Sequence, residues 1–259
     1  MFWQPWKLKL KNRISSLFKK KLPIQPFLPA DTRAYCIGDI HGCNGLLQEL
    51  LLEIRRELKN FNGRVVMVYL GDFIDRGPHS KEVIDTLLNN QPHDIETVYL
   101  RGNHEQVLLD CLNNPALIST WLNYGGLAAL ASYKVSVAKI PTKLQDLVQI
   151  QQQLKEKLPP SHYHFFINTR LSYSLGSYFF VHAGIYPGRS LTRQQPQDLL
   201  WIRDEFIQST KYHEKIIVHG HTISTQPELL NNRIGIDTGA FCSGKLTCLV
   251  LESDQQRIL

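Results

Sequence analysis

Five short apolar runs, each ending at a turn that carries metal-ligand side chains, constrain this chain more than any other feature in it. Arg33-Ala34-Tyr35-Cys36-Ile37, Val65-Val66-Met67-Val68-Tyr69-Leu70, Thr97-Val98-Tyr99-Leu100, Tyr178-Phe179-Phe180-Val181 and Ile216-Ile217-Val218 are rich in β-branched and aromatic residues. That composition over three to six residues reads as buried strand. The runs lead into Gly38-Asp39-Ile40-His41-Gly42, Gly71-Asp72-Phe73-Ile74-Asp75-Arg76-Gly77, Gly102-Asn103-His104-Glu105, His182-Ala183-Gly184 and His219-Gly220-His221-Thr222. In an open α/β sheet the binding crevice lies beyond the carboxyl ends of the strands, so these five ends are expected to converge on one site. Carboxylate, imidazole and carboxamide oxygen or nitrogen together suit borderline divalent metals.

Each residue also has a plainer reading. Asp39 and Asp72 could cap the helices that follow them, because Asp after a strand accepts the first free helical N–H groups. His182 could be a core histidine satisfied by a hydrogen bond, and His219 is expected to be such a residue or to support a ligand rather than to be one. Any one of the tetrapeptides is weak; five in order, each behind a strand, are specific.

Helices are expected between the strands. Leu46, Leu47, Leu50, Leu51, Ile54 and Leu58 give residues 46 to 59 one apolar face, and Lys81 to Leu88 repeats the pattern after the second ligand run, as crossover helices do. Residues 110 to 175 carry no ligand candidates and contain a Gln-rich helical stretch from Leu144 to Leu158 before Pro159-Pro160. A helical cap beside the site is expected there, with a simple packing insertion as the alternative. Two more strands are expected over Arg233 to Asp237 and Leu246 to Leu251.

The ordered set GDIHG, GDFIDRG, GNHE, HAG and GHT resembles the PPP family of calcineurin-like metallophosphoesterases, and within it the bacterial branch similar to serine/threonine phosphatases. Asp198-Leu199-Leu200-Trp201-Ile202-Arg203 and Arg233-Ile234-Gly235-Ile236-Asp237-Thr238-Gly239 resemble that branch too, so the likeness runs from about residue 34 to about residue 252. It implies an α/β fold, a sandwich of two mixed β-sheets flanked by helices. It further implies two divalent metal ions, manganese first and iron or zinc as the other choices, with Asp39 and His41 on one, Asn103, His182 and His221 on the other, and Asp72 bridging. Two such ions ~3.5 to 4 Å apart would supply a bridging hydroxide as nucleophile. The resemblance makes His104 the general acid for the leaving group, oriented by Asp75, and makes Arg76 and Arg203 the clamp on the phosphoryl oxygens. For Arg203 a surface helix start is the alternative. Ala183 in place of a second glycine, and Gly220-His221-Thr222 in place of Arg-Ala-His, depart from the eukaryotic members and argue against their style of regulatory subunit.

Charge is divided unevenly. Lys7, Lys9, Lys11, Arg13, Lys19, Lys20 and Lys21 fall within residues 1 to 30, which hold no acidic residue, while the remainder has 22 basic against 23 acidic side chains. Trp3, Trp6, Leu10, Ile14, Leu17 and Phe18 recur at helical spacing among those lysines, with Leu8 off the pattern. A basic amphipathic arm, followed by a linker at Pro23, Pro26 and Pro29, is therefore expected over residues 1 to 30, ahead of a catalytic domain over 31 to 259. Such an arm, over residues 1 to 22, suits peripheral contact with an anionic membrane; no module for specific nucleic-acid binding surrounds it. No apolar run of 18 residues exists in the chain, and five cysteines without a C-x-x-C pair speak against a disulfide framework or structural zinc. A reducing, cytoplasmic setting follows, at the inner membrane surface if the arm docks there.

The function expected is a dinuclear-metal phosphatase acting on phosphoserine or phosphothreonine, and also phosphotyrosine, in proteins. Symmetrical hydrolysis of diadenosine tetraphosphate, or of another small phosphorylated molecule, is the alternative that the same ligand set allows. The oligomeric state is left open.

Overall fold

The computed structural model describes residues 24–90, 92, 95–137, 141 and 143–259. The arm expected over residues 1 to 22 lies outside them. Among the described residues, ten strands form two five-stranded mixed sheets. The first has the order β10-β9-β1-β2-β3, built from β1 (Thr32–Ile37), β2 (Arg64–Tyr69), β3 (Glu96–Tyr99), β9 (Cys248–Glu252) and β10 (Gln255–Ile258). The second has the order β4-β5-β6-β8-β7, built from β4 (Ser172–Leu175), β5 (Tyr178–Val181), β6 (Ile216–His219), β7 (Glu228–Leu229) and β8 (Arg233–Gly235). β1, β2 and β3 run parallel, as do β5, β6 and β8, while β9, β10, β4 and β7 join antiparallel at the flanks.

Strand side chains alternate between faces, and that period of two builds the layers. Ala34, Cys36, Val66, Val68, Leu70 and Val98 of the first sheet meet Tyr178, Phe180, Val218 and Ile234 of the second in one buried cluster between the sheets. The intervening Tyr35, Ile37, Met67 and Tyr69 face the other way, onto helices α1 (Asn44–Leu58), α2 (Ser80–Asn89) and α3 (Asn103–Asn113) through Leu47, Leu51, Ile54, Val83, Ile84 and Leu108. Phe179, Val181 and Ile217 turn their own outer face to α8 (Pro196–Trp201) and α9 (Asp204–Ile207), against Leu199 and Phe206. Strands buried on both faces read as continuous apolar runs, which is why the five were visible in the sequence. Each fully buried side chain of this size stabilises the fold by about 1.5–3 kcal/mol over leaving it in water.

Helices α4 (Ile118–Trp121), α5 (Leu127–Ser132), α6 (Leu144–Lys157) and α7 (Pro160–Ile167) stack on the helical side of the first sheet, with one wide π turn, Leu122–Gly126, between α4 and α5. A final short helix, α10 (Ala240–Ser243), follows β8. Strands β4, β7 and β10 were not anticipated. They are short and polar, and they are set by pairing to β5, β8 and β9 rather than by any apolar run of their own. The β9–β10 hairpin turns at Ser253, which takes φ 53° without a glycine, so the usual turn signal is missing. Among the described residues no helix is long and apolar enough to cross a membrane.

Candidate active site

Every residue singled out at a strand end lies on the same edge of the sandwich. Asp39 and His41 follow β1, Asp72, Asp75 and Arg76 follow β2, Asn103 and His104 open α3 after β3, His182 follows β5, and His221 follows β6. The backbone there is bent hard. Of eight non-glycine residues with left-handed φ among the described residues, five are His41, Asp72, Asp75, Arg76 and His221, at 44° to 73°. Such φ values are uncommon for side-chain-bearing residues and cluster where a fold over-determines a functional geometry. Two glycines make room for carboxylates: a Cβ on Gly102 would stand 2.0 Å from Asp72 Oδ1, and one on Gly220 would stand 2.0 Å from Asp39 Oδ1.

Asp72 is the hub. Its Oδ2 lies 3.4 Å from His41 Nε2 and 3.8 Å from His104 Nε2, and its Oδ1 lies 3.4 Å from His182 Nε2. His182 Nε2 is also 2.9 Å from Asn103 Oδ1 and 3.2 Å from His221 Nδ1. His41 and His182 each donate from Nδ1–H to a backbone carbonyl, of Ile74 at 2.8 Å and of Leu70 at 3.0 Å, which turns Nε2 into the cluster with its lone pair free. Two groups thus share Asp72: His41, Asp72 and His104 on one side, Asp72, His182 and His221 on the other.

The electrostatics fit a pair of cations. Burial pushes the imidazoles of His182 and His221 down to about 4 and about 2, so both are neutral near pH 7, the form that ligates a metal. Burial alone would raise Asp72, but the His182, His104 and His41 rings outweigh it and hold its carboxyl well below the usual range. Asp39 goes the other way: burial, then Asp237, then Asp72 push it well above its ordinary value. Asp39 Oδ1, His41 Nε2, His221 Nε2 and Asp237 Oδ2 are buried with no hydrogen-bond partner among the described residues. Buried polar atoms are normally paired, so unpaired carboxylate and imidazole atoms among these residues are a donor set that fits divalent cations.

His104 is built as an oriented acid. Its Nδ1–H donates to Asp75 Oδ2 at 2.6 Å, and Trp121 Nε1–H donates to the same oxygen at 2.7 Å. Burial would push the imidazole down, but the charge of Asp72 and the Asp75 hydrogen bond outweigh it and raise it above its ordinary value. Arg76 Nη2 lies 3.4 Å from His104 Nε2, and its guanidinium lies 4.7 Å over the Phe241 ring. Arg203 is exposed at the rim, its Nη1 donating to His221 O at 3.0 Å and facing Thr222 Oγ1 at 3.4 Å. His219 points elsewhere: its ring packs on Phe206 at 5.0 Å, its Nδ1 meets Gly220 O at 3.1 Å, and burial pushes it down to about 3.

Sequence reasoning missed four contributors. Glu105 accepts the backbone N–H groups of Asp72, Phe73 and Gly102 at 2.8–2.9 Å, tying the second and third ligand turns together. Burial and Asp72 nonetheless push its carboxyl up to about 8. It stood inside the GNHE run but had no role attached. Asp237 likewise stood inside a recognised segment. Trp121 and Gly125, whose carbonyl accepts Arg76 N–H at 3.2 Å, come from the ligand-free helical region, where nothing local marks them.

A family model described as calcineurin-like phosphoesterase matches residues 32–246. Among curated proteins, bis(5'-nucleosyl)-tetraphosphatase PrpE (asymmetrical) of Bacillus cereus (strain B4264) is 28% identical over 234 residues, 82% of this chain and 88% of its own. The protein of the same name from Halalkalibacterium halodurans is 28% identical over 231 residues, 82% of this chain and 87% of its own. Among solved structures, a cold-active protein tyrosine phosphatase superposes with a TM-score of 0.54 at 17% identity, over 90% of this chain and 81% of that one. A crystal structure of a candidate diadenosine tetraphosphatase gives 0.52 at 19% identity, over 92% of this chain and 98% of that one. At these identities the structural likeness speaks for the fold.

Proposed function

Since the chain belongs to the calcineurin-like phosphoesterase family, a family of metal-dependent hydrolases, we propose that it is a phosphomonoesterase acting on poor leaving groups such as phosphoserine and phosphothreonine. The observation that carries this reading is the His104–Asp75–Trp121 chain of hydrogen bonds at 2.6 and 2.7 Å. A buried, oriented acid is worth most when the departing oxygen is a strongly basic alkoxide. Departing nucleotide phosphate needs far less help.

Asp39, His41, Asp72, Asn103, His182 and His221 would hold two divalent cations, which supply Lewis acidity toward the phosphoryl oxygens and bring water into the range where hydroxide is available near neutral pH. Manganese suits this mixed oxygen and nitrogen set, as do iron and zinc. Arg76, beside His104 and braced on Phe241, presents a guanidinium fork to the phosphoryl group, and Arg203 contributes from the rim. His104 Nε2 then delivers its proton to the leaving oxygen while Asp75 keeps the ring in place.

Trp121 would act through Asp75. Trp121→Phe keeps the ring but removes the N–H, and should lower kcat on an alkyl phosphate about 10-fold with KM little changed, the scale of one hydrogen bond to a charged group. The loss should shrink for p-nitrophenyl phosphate. Rates across a series of aryl and alkyl phosphates check this; a uniform loss would leave Trp121 a packing residue.

A second reading is favoured by the curated relatives, whose name describes asymmetrical cleavage of bis(5'-nucleosyl) tetraphosphates. Tyr124, 48% exposed, and Trp201 stand at the rim with ring centroids 6.5 Å apart, and Trp201 is 6.5 Å from His221, a placement that suits stacking of a base. Phosphopeptides and diadenosine tetraphosphate, assayed side by side with Mn²⁺, separate the two. The first reading expects kcat/KM at least about 10-fold higher on the phosphopeptide, one kcal-scale difference in transition-state binding; the reverse order supports the nucleotide.

A further inference from the structure

Asp237 sits at the turn after β8, and its side chain is tied down on one side only. Its Oδ1 accepts Gly239 N–H at 2.8 Å, and its own carbonyl accepts Ser224 N–H at 3.0 Å. Oδ2, the other oxygen of the same carboxylate, is buried with no hydrogen-bond partner among the described residues. The residue as a whole is 2% exposed. A buried carboxylate oxygen without a donor carries a desolvation cost, which a bound cation offsets.

The segment that holds Asp237 is pressed onto one half of the cluster. Phe241, four residues on, meets the His41 ring edge-on at 5.5 Å and lies beneath the Arg76 guanidinium. Ile236 O would be 2.6 Å from a Cβ on Gly38, so the backbones preceding Asp237 and Asp39 touch. His41, Asp72 and Arg76 are among the charged and titratable groups that act on the Asp237 carboxyl, and Asp237 in turn acts on Asp39.

We propose that Asp237 is a further carboxylate of the cation site formed by Asp39, His41 and Asp72, contributing its charge through Oδ2. The two halves of the centre then differ in kind. The first gathers three carboxylates and one imidazole, an oxygen-rich set that suits manganese or magnesium; the second has a shared carboxylate, a carboxamide and two imidazoles, a set that suits softer ions. The inference rests on the two-cation reading above.

Asp237→Asn tests it, because asparagine keeps an Oδ1 acceptor for Gly239 N–H and removes only the charge. Chelator-stripped wild type and variant are titrated with MnCl2 by isothermal calorimetry, and bound manganese is counted by elemental analysis. Wild type should take two ions; in the variant one class should weaken by about 10- to 100-fold, the scale for removing a supporting carboxylate, while the other stays within about 2-fold. Two unchanged classes in the variant would overturn the proposal and leave Asp237 as a turn residue. A wild type that binds no manganese would overturn the two-cation reading and this inference with it. If Asp237→Asn does not fold, Asp237→Ser, whose hydroxyl can still accept from Gly239 N–H, carries the same expectation and the same overturning result.

Discussion

His104→Asn is expected to lower kcat on a phosphoserine peptide by roughly 10²- to 10⁴-fold, the range that general acid catalysis supplies, while bound metal and KM stay close to wild type. The reason is positional. His104 Nε2 is aimed at the space beside Asp72 by a hydrogen bond from its other nitrogen to Asp75 at 2.6 Å, whereas Asn103, on its N-terminal side, faces His182. Removing the imidazole therefore takes away a proton donor and leaves the ligand set standing. With p-nitrophenyl phosphate, whose leaving group departs without protonation, the defect should be several-fold smaller. Equal defects on both substrates would remove His104 from the acid role and leave its 3.8 Å approach to Asp72 as the relevant contact.

Metal removal should have the larger effect. Stripped with a chelator and passed through desalting, the protein should lose essentially all turnover and regain it on addition of Mn²⁺, since hydroxide near neutral pH depends on the cations. A thermal signature should accompany the loss. Asp237 and Asp72 both act on the Asp39 carboxyl, and four ligand-type atoms at this edge are buried with no hydrogen-bond partner among the described residues. Cations that bind only the folded state add about 2.7 kcal/mol at a concentration 100-fold above Kd, which for a chain of this size raises Tm by several degrees. Full activity in verified metal-free protein would end the mechanism; unchanged Tm would show that the folded chain does not bind the cations in preference to the unfolded one.

Much of the architecture was legible because the strands that carry it are buried on both faces. Runs such as Val65 to Leu70 and Tyr178 to Val181 must be apolar throughout to sit between helices and a second sheet, and nothing in water would tolerate them otherwise. The convergence of Asp39, His41, Asp72, Asn103, His182 and His221 was legible for the same reason: once the strands are parallel, their carboxyl ends lie on one edge. The edge strands β4, β7 and β10 were not, because a strand held by one neighbour and wet on one side needs no apolar run. Nor was Trp121. Its tie to Asp75 spans 46 residues and depends on how a helical excursion folds back over the sheet, information that exists only after packing. Asp237 lay in plain sight, but an aspartate before a glycine reads first as a turn.

The left-handed residues change what a mutation at this site measures. Asparagine and aspartate tolerate positive φ through local hydrogen bonding, and glycine takes it without cost, whereas alanine there is strained by about 1–2 kcal/mol. Alanine at His41, Asp72, Asp75, Arg76 or His221 therefore removes a side chain and leaves the strain, so that scanning by alanine reads altered stability and lost chemistry as one number. Glycine at the same positions removes the side chain and the strain together, so the difference in melting temperature between the glycine and alanine variants of the metal-free chain should read the backbone cost by itself, at about 1–2 kcal/mol per position.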